Sequence, residues 1–372
     1  MRLDPEKLKA NIENLYARDL STATLFGCAC FVAQEGKTLY RGFHGRTAPD
    51  GGPVTDKTLF RLASMTKPVL TVAALILVDR GLLSLSDPVK KYLPIFENTR
   101  LKGMDGSDLG PVKTDVTVLN LLTHTSGLGD VDPVRPMTDE ILATIDSYVG
   151  YVGGKVYFEP FSMQSYSGTA NFDVLAAVIQ KITGETLESF IRREIFDPLG
   201  MTDATFVPSP DQWSRLIKMH TREDGKNAVS PTPDGCLYEN FPATHMAGGA
   251  GLAATLDDYA RFAAMLLNYG AYDGGRILKE ATVKDMATPH YDTPILSDSG
   301  DRWGLGVRVV TDDRGPLAAG SFGWCGAYGT NFWVDPENRV AAVFMKNSRV
   351  DGGFGCDSNV RFERAVSDAF IK

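Results

Sequence analysis

The chain has little of what would mark it for a membrane, a nucleic acid or a metal. Its most apolar window, Val69 to Val78, is only ten residues long, and a spanning helix needs about 20, so the window reads as a buried helix. Positive charge is in deficit: 38 Lys and Arg against 46 Asp and Glu leave a net charge of -8, which disfavours a nucleic-acid or anionic-membrane partner. No block of like charge is long enough to form a disordered tail. The five cysteines, Cys28, Cys30, Cys236, Cys325 and Cys356, are odd in number and lack metal spacing. That pattern suggests reduced thiols in a cytoplasmic protein. The opening MRLDPEKLKANIENLY has no apolar stretch followed by a small-residue cleavage site, so no signal peptide is visible. The five histidines contain no H-x-x-x-H pair, and neither a metal nor a cofactor is expected.

What is present is a large core: 43% of 372 residues are hydrophobic. Asp4-Pro5-Glu6 reads as a helix start, and Leu8, Ile12 and Leu15 continue it to about Asp19. ATLFGCACFVAQEGKTLYRGFHG reads as two strands turning at Glu35-Gly36-Lys37, with Cys28 and Cys30 on one face and unbonded. From about Leu82 to Glu280 helical segments dominate, among them NFDVLAAVIQKITG and LDDYARFAAMLLNYG. After about Trp303 strands return in GLGVRVV, AAGSFGW, TNFWVDP and RVAAVFMKN, before a last helix from roughly Asn359 to Ile371. The economical packing is an α+β fold, with an antiparallel sheet flanked by helices and built from 1–82 and 287–372. A mostly helical subdomain, 83–286, then lies beside it, with the site in the cleft between them.

Three stretches carry chemistry. In FRLASMTKPVLTVAALILVDRG, Ser64 and Lys67 stand three apart at a helix start, on one face. A serine hydroxyl needs a neighbouring base, and a helix N-terminus offers free N–H groups to an oxyanion. The S-x-x-K pattern alone occurs about once by chance in this composition, and serine is a common N-cap, so the pair needs company. In FSMQSYSGTANFDVLAAVIQ, Tyr166 sits in a Ser/Gly-rich loop before a helix. A nearby lysine would lower its phenol pKa and let it serve as a base; the plainer reading is a half-buried loop anchor. In GSFGWCGAYGTNFWVDP, four glycines interrupt strand-formers, as close approach of a ligand or another backbone requires.

Together these stretches resemble the serine β-lactamase and penicillin-binding-protein superfamily, most nearly the family VIII carboxylesterases. LLSLSDPVKKYLP, LLTHTSGL, IFDPLGMTDATF and GGAGLAATLDDYARFAAML add to the likeness in the family's order. The resemblance implies a β-lactamase/transpeptidase-like fold, with Ser64 as acylated nucleophile, Lys67 as its dyad partner and Tyr166 as the second-motif tyrosine. Trp324-Cys325-Gly326 stands where β-lactamases carry K-T-G, and the backbone N–H groups of Ser64 and Ala327 would form the oxyanion hole. The resemblance places His124 in a structural segment, and the chain has no G-x-S-x-G elbow to recruit it into a triad.

Two departures bear on substrate. Gly168 stands where the β-lactamase second motif has asparagine, and Trp324 replaces the lysine that meets a substrate carboxylate. Loss of a charge-assisted hydrogen bond costs about 1.5–3 kcal/mol, so a neutral short-chain carboxylic ester is the expected small-molecule substrate. Trp324, Cys325, Gly326 and Gly168 are the expected substrate-binding positions. A class C-like β-lactamase, a D-aminopeptidase or amidase, and an acyltransferase using the same acyl-serine stay open. Substrate walls are expected from Pro133 to Met137, Tyr151 to Met163 and Pro231 to Met246, and Cys325 is either a space-filler or a thiol whose alkylation blocks the cleft. Monomer and homodimer both remain open.

Overall fold

A computed structural model describes residues 1–21, 25–293, 295 and 300–371. The architecture centres on one antiparallel sheet of seven strands: β1 (Gly27–Gln34), β2 (Lys37–Gly45), β3 (Asp301–Trp303), β4 (Arg308–Val310), β5 (Phe322–Cys325), β6 (Asn331–Asp335) and β7 (Val340–Lys346). Their spatial order is β3-β4-β5-β6-β7-β1-β2. The β1–β2 hairpin closes where Glu35 and Gly36 both take positive φ, 52° and 77°, the backbone that a two-residue turn between twisted strands favours. Ala23 and Thr24, the first residues of the run read as strand, lie outside the described residues.

Both faces of the sheet are covered, and the strands show it by alternation. Along β7, Ala341, Val343 and Met345 face one core while Val340, Ala342 and Phe344 face the other. Cys28, Cys30 and Val32 of β1 share the second core. Helices α1 (Pro5–Ser21) and α8 (Asp357–Ser367) close that side with Leu8, Ile12, Phe362 and Val366.

The first face receives α2 (Thr66–Asp79) and α7 (Leu256–Leu267). Helix α2 is buried on all sides from Thr66 to Leu77, as its largely apolar sequence requires. It ends at Asp79, Arg80 caps it, and Gly81 follows at φ 71°, a left-handed position that glycine fills without strain. The same core continues into α3 (Val118–Thr123), α4 (Asp139–Leu142), α5 (Ile145–Val152) and α6 (Ala170–Thr183). Sheet and helices therefore meet around α2.

The α+β reading with flanking helices holds, with local differences. The last helix stops at Ser367, and Phe370–Ile371 instead pairs antiparallel with Arg2–Leu3. Within GLGVRVV only Arg308–Val310 is strand. Gly306 turns at φ 66° and donates its N–H to Leu122 of α3 (3.0 Å). The TLESFIRREIF segment passes through a π-helical turn at Arg192–Phe196. Between the helices run short strands, among them Arg100–Lys102 with Asp108–Pro111 and His220–Glu223 with Lys226–Val229.

Candidate active site

Ser64 lies in a single 3-10 turn, Ala63–Met65, that runs straight into α2. Neighbours pin this turn from several sides. Leu62 N–H donates to Leu252 O (2.9 Å), Tyr259 Oη to Met65 O (2.7 Å) and Thr330 Oγ1 to Leu62 O (3.0 Å). Ala63 is held at φ 46°, a conformation costly for a residue with a Cβ and sustained only where surroundings impose it.

Lys67 is buried completely, one turn along from Ser64. Its Nζ contacts three oxygens: Ser64 Oγ at 3.2 Å, Gly168 O at 2.6 Å and Gly249 O at 2.9 Å. Burial drives its pKa down from 10.5 to about 7, against an opposing pull from Asp130, Asp173 and Cys325. As a neutral amine, Nζ has two N–H bonds and one lone pair. The two carbonyls take both N–H groups, which turns the lone pair toward the Ser64 hydroxyl.

Tyr166 approaches from the opposite side. Its hydroxyl donates to Ser64 Oγ at 2.7 Å and accepts from Trp324 Nε1 at 3.2 Å. The residue as a whole is 46% exposed, with Lys67 Nζ 5.0 Å from the ring centroid. The sequence reading lowered this phenol's pKa beside a lysine; the structure raises it above 10.0. Burial of the hydroxyl end dominates, while the hydrogen bonds with Ser64 and Trp324 only partly oppose it. The cation invoked to stabilise a phenolate is itself depressed to about 7.

The third stretch divides its tasks. Trp324 is only 5% exposed; its ring packs on Trp303 and Phe354 and its one donor is engaged by Tyr166, so it orders the tyrosine. Cys325 is buried, and burial pushes its thiol pKa up, which argues against ready alkylation. Gly326 is required by close approach: a Cβ there would lie 2.2 Å from Leu62 O and 2.3 Å from Thr330 Oγ1. Ala327 follows, exposed at the end of β5. Among the described residues no acceptor engages the backbone N–H of Ser64 or of Ala327.

Gly168 takes part through its backbone, its carbonyl accepting from Lys67. Behind it stands Asp130, which the sequence reading missed. This carboxylate accepts from the N–H groups of Gly168 (2.6 Å), Thr169 (3.1 Å) and Ala170 (2.8 Å) and from Ser167 Oγ (2.6 Å). It caps the N-terminus of α6 from a distant loop, so no local pattern announces it. His124 ends α3 in a left-handed conformation, φ 57°. Its Nδ1 faces the Ser167 N–H and the Asn171 amide, each at 3.1 Å, and its ring packs 4.6 Å from that of Tyr166. Burial and the nearby Lys67 hold it well below 6.5, hence neutral. It supports the tyrosine loop and makes no hydrogen bond with Ser64. Of the expected walls, Tyr151 instead lies buried in α5, its hydroxyl bonded to Asp132 N and Arg135 O. Phe161 and Met163 are exposed beside Tyr166 in the chain.

Comparison with known proteins gives the family and the fold. Residues 12–361 match the family described as Beta-lactamase. Esterase EstB of Burkholderia gladioli is 32% identical over 393 aligned positions, covering 95% of this chain and 94% of that protein. Acyltransferase calJ of Penicillium decumbens is 29% identical, covering 80% and 77% respectively. Among solved structures, EstCE1, a hydrolase with promiscuous acyltransferase activity, superposes with a TM-score of 0.80 at 23% identity, covering 98% of this chain and 99% of that one. The fold is thus β-lactamase/transpeptidase-like.

Two outcomes follow from the site's packing. Gly326→Ala is expected to lose roughly 1–3 kcal/mol of stability in urea unfolding, because the Cβ meets backbone that cannot yield. For Lys67 the folded-state pKa is depressed, so its ammonium costs stability. The cost is complete below pH 7, shrinks as pH rises and is gone above 10.5. Lys67→Met is therefore expected to gain more stability at pH 6 than at pH 10, on the order of 4 kcal/mol in urea unfolding.

Proposed function

The chain belongs to the Beta-lactamase family and is an enzyme, a serine hydrolase; from that premise we propose that it cleaves neutral, short-chain carboxylic esters through an acyl-Ser64 intermediate. The observation that carries this reading is Ser64 Oγ between the Tyr166 hydroxyl at 2.7 Å and the Lys67 amine at 3.2 Å.

With Lys67 unprotonated, the hydrogen bonds run in one direction: Trp324 N–H to Tyr166 O–H, to Ser64 O–H, to the lone pair of Lys67. In acylation, Lys67 takes the Ser64 proton as Oγ bonds to the ester carbonyl carbon. The carbonyl electron pair moves onto oxygen, where the N–H groups of Ser64 and Ala327 stabilise it, each worth about 10²- to 10³-fold. Collapse breaks the bond to the alkoxy oxygen. Tyr166, protonated at neutral pH, gives that oxygen its proton and recovers one from the Lys67 ammonium, so it acts as a proton carrier. Water then repeats the sequence on the acyl-enzyme.

The substrate class rests on what surrounds Ser64. Gly168 brings no side-chain amide, and Trp324 stands where a cation would meet an anionic substrate, its only donor engaged. Phe161 and Met163, close to Tyr166 in the sequence, are exposed and apolar. EstB, a relative over nearly the whole chain, is named an esterase. Among the described residues no helix is long and apolar enough to cross a membrane, and all five cysteines are free, in keeping with the cytoplasm. The similarity to an acyltransferase favours a second reading, transfer of the acyl group to an alcohol or amine. Product analysis with a competing alcohol separates it: transfer predominates only if the alcohol traps the acyl group faster than water.

Turnover of p-nitrophenyl acetate, butyrate and octanoate beside a chromogenic cephalosporin tests the assignment. Short-chain esters are expected to be favoured far above the cephalosporin, and Ser64→Ala to lose at least about 10³-fold in kcat. Dominant cephalosporin turnover would replace the esterase reading, and activity surviving in Ser64→Ala would remove the nucleophile. Because Lys67 must be unprotonated to accept the proton, log kcat/KM should rise through pH about 7 and then level. The raised Tyr166 phenol gives no alkaline fall below pH 10.

A further inference from the structure

Joined to Lys67 through Gly249 is a buried pair of titratable groups that the reaction above leaves unused. Asp173 of α6 and His245 expose no surface, and His245 Nε2 meets Asp173 Oδ2 at 2.9 Å. The other carboxylate oxygen, Oδ1, accepts the Gly249 N–H at 3.0 Å. The carbonyl of the same Gly249 accepts from Lys67 Nζ at 2.9 Å. On its far side, His245 Nδ1 meets Leu142 O of α4 at 2.9 Å. One line of hydrogen bonds therefore joins α4, His245, Asp173 and Gly249 to the amine. We propose that the Asp173–His245 couple is a positioning device for Lys67, holding the Gly249 carbonyl against the amine while the histidine offsets part of the charge of the carboxylate.

The offset follows from counting protons. His245 Nδ1 faces a carbonyl, which only accepts, so Nδ1 carries a proton. Nε2 faces a carboxylate oxygen, and a second proton must lie between them. Whichever partner holds that second proton, the couple sums to zero charge: imidazolium with carboxylate, or imidazole with carboxylic acid. Tyr148 and Phe241 complete the surroundings of His245, with ring centroids 5.6 and 4.9 Å away. Around Lys67 the other titratable groups are Asp130, Cys325, Tyr166 and His124. Asp130 is satisfied by the N-terminus of α6, and His124 is neutral. An uncompensated Asp173 would be a buried anion separated from the amine by the backbone of one residue, Gly249, and such an anion favours the ammonium. A carboxylate is thus used for its geometry, and the histidine offsets part of the pull that it exerts on the ammonium.

The inference rests on Lys67 acting as an amine, and pH profiles of kcat/KM with p-nitrophenyl butyrate separate the two. His245→Gln keeps a donor toward Asp173 and removes the compensating proton. Its acidic limb is expected to move up by about one pH unit, a roughly tenfold loss at pH 6 relative to the alkaline plateau. In the double variant Asp173→Asn/His245→Gln the pair is neutral again. The amide oxygen introduced on α6 can accept from the Gly249 N–H, and its NH2 can donate to the second introduced amide. That double variant is expected to return the limb to its wild-type position, which a purely structural role does not do. A limb unmoved in His245→Gln, or left displaced in the double variant, overturns the proposal. A wild type without an acidic limb near 7 removes the Lys67 reading and this inference with it. The native protein supplies a check that no folding defect can spoil. Nitrogen-edited imidazole spectra at pH 8 should show His245 Nδ1 protonated, with a second proton shared between Nε2 and Asp173; a bare Nδ1 overturns the proposal.

Discussion

The burial of a single amine constrains the rest of the site. Lys67 Nζ has no access to water and is surrounded by two carbonyl oxygens, a serine hydroxyl and the faces of Tyr166 and Phe172. Removing an ammonium from water is expensive, so the group loses its proton near neutrality. On the proposed reading, that loss creates a base beside Ser64, orients its lone pair and leaves Tyr166 without a cation to ionise it. A fully buried lysine costs stability where the chemistry needs it, a trade commonly made at active sites.

Holding that amine requires rigid elements on every side. Helix α2 supplies Lys67, carries Ser64 on the turn that opens it and is buried along nearly its whole length, so neither can drift. Strand β5 closes on the serine turn through Gly326, where no side chain fits. Helix α6 presents the Gly168 carbonyl because Asp130 ties down the three N–H groups at its start. The Gly249 carbonyl is held through Asp173. Each wall belongs to a different stretch of chain, so the site exists only when sheet and helices share one core.

This division explains what could be read from the sequence. Ser64 and Lys67 are three residues apart, and their shared face follows from helix geometry. The β1–β2 hairpin was legible because Glu35-Gly36 is a local turn signal, and β7 because its strand-forming residues are contiguous. Asp130, Asp173 and His245 were not legible, since their partners lie tens of residues away and a lone Asp or His has no periodicity. Gly168 was read for its missing side chain, whereas its part is played by a carbonyl every residue possesses. The direction of the Tyr166 shift depends on burial and on the protonation of Lys67, both properties of the folded site. The pairing of Phe370–Ile371 with Arg2–Leu3 joins the two ends of the chain, beyond the reach of a propensity argument that extended the last helix.

The proposed mechanism needs Lys67 as an amine in the working enzyme, and its titration can be observed directly. Lysines labelled with carbon-13 at Cε report protonation through chemical shift, and Lys67→Met identifies the resonance by its disappearance. A midpoint near 7 is expected, coincident with the acidic limb of kcat/KM. A midpoint near the ordinary lysine value of 10.5 would contradict the account, because the residue beside Ser64 would then be an ammonium throughout the working range.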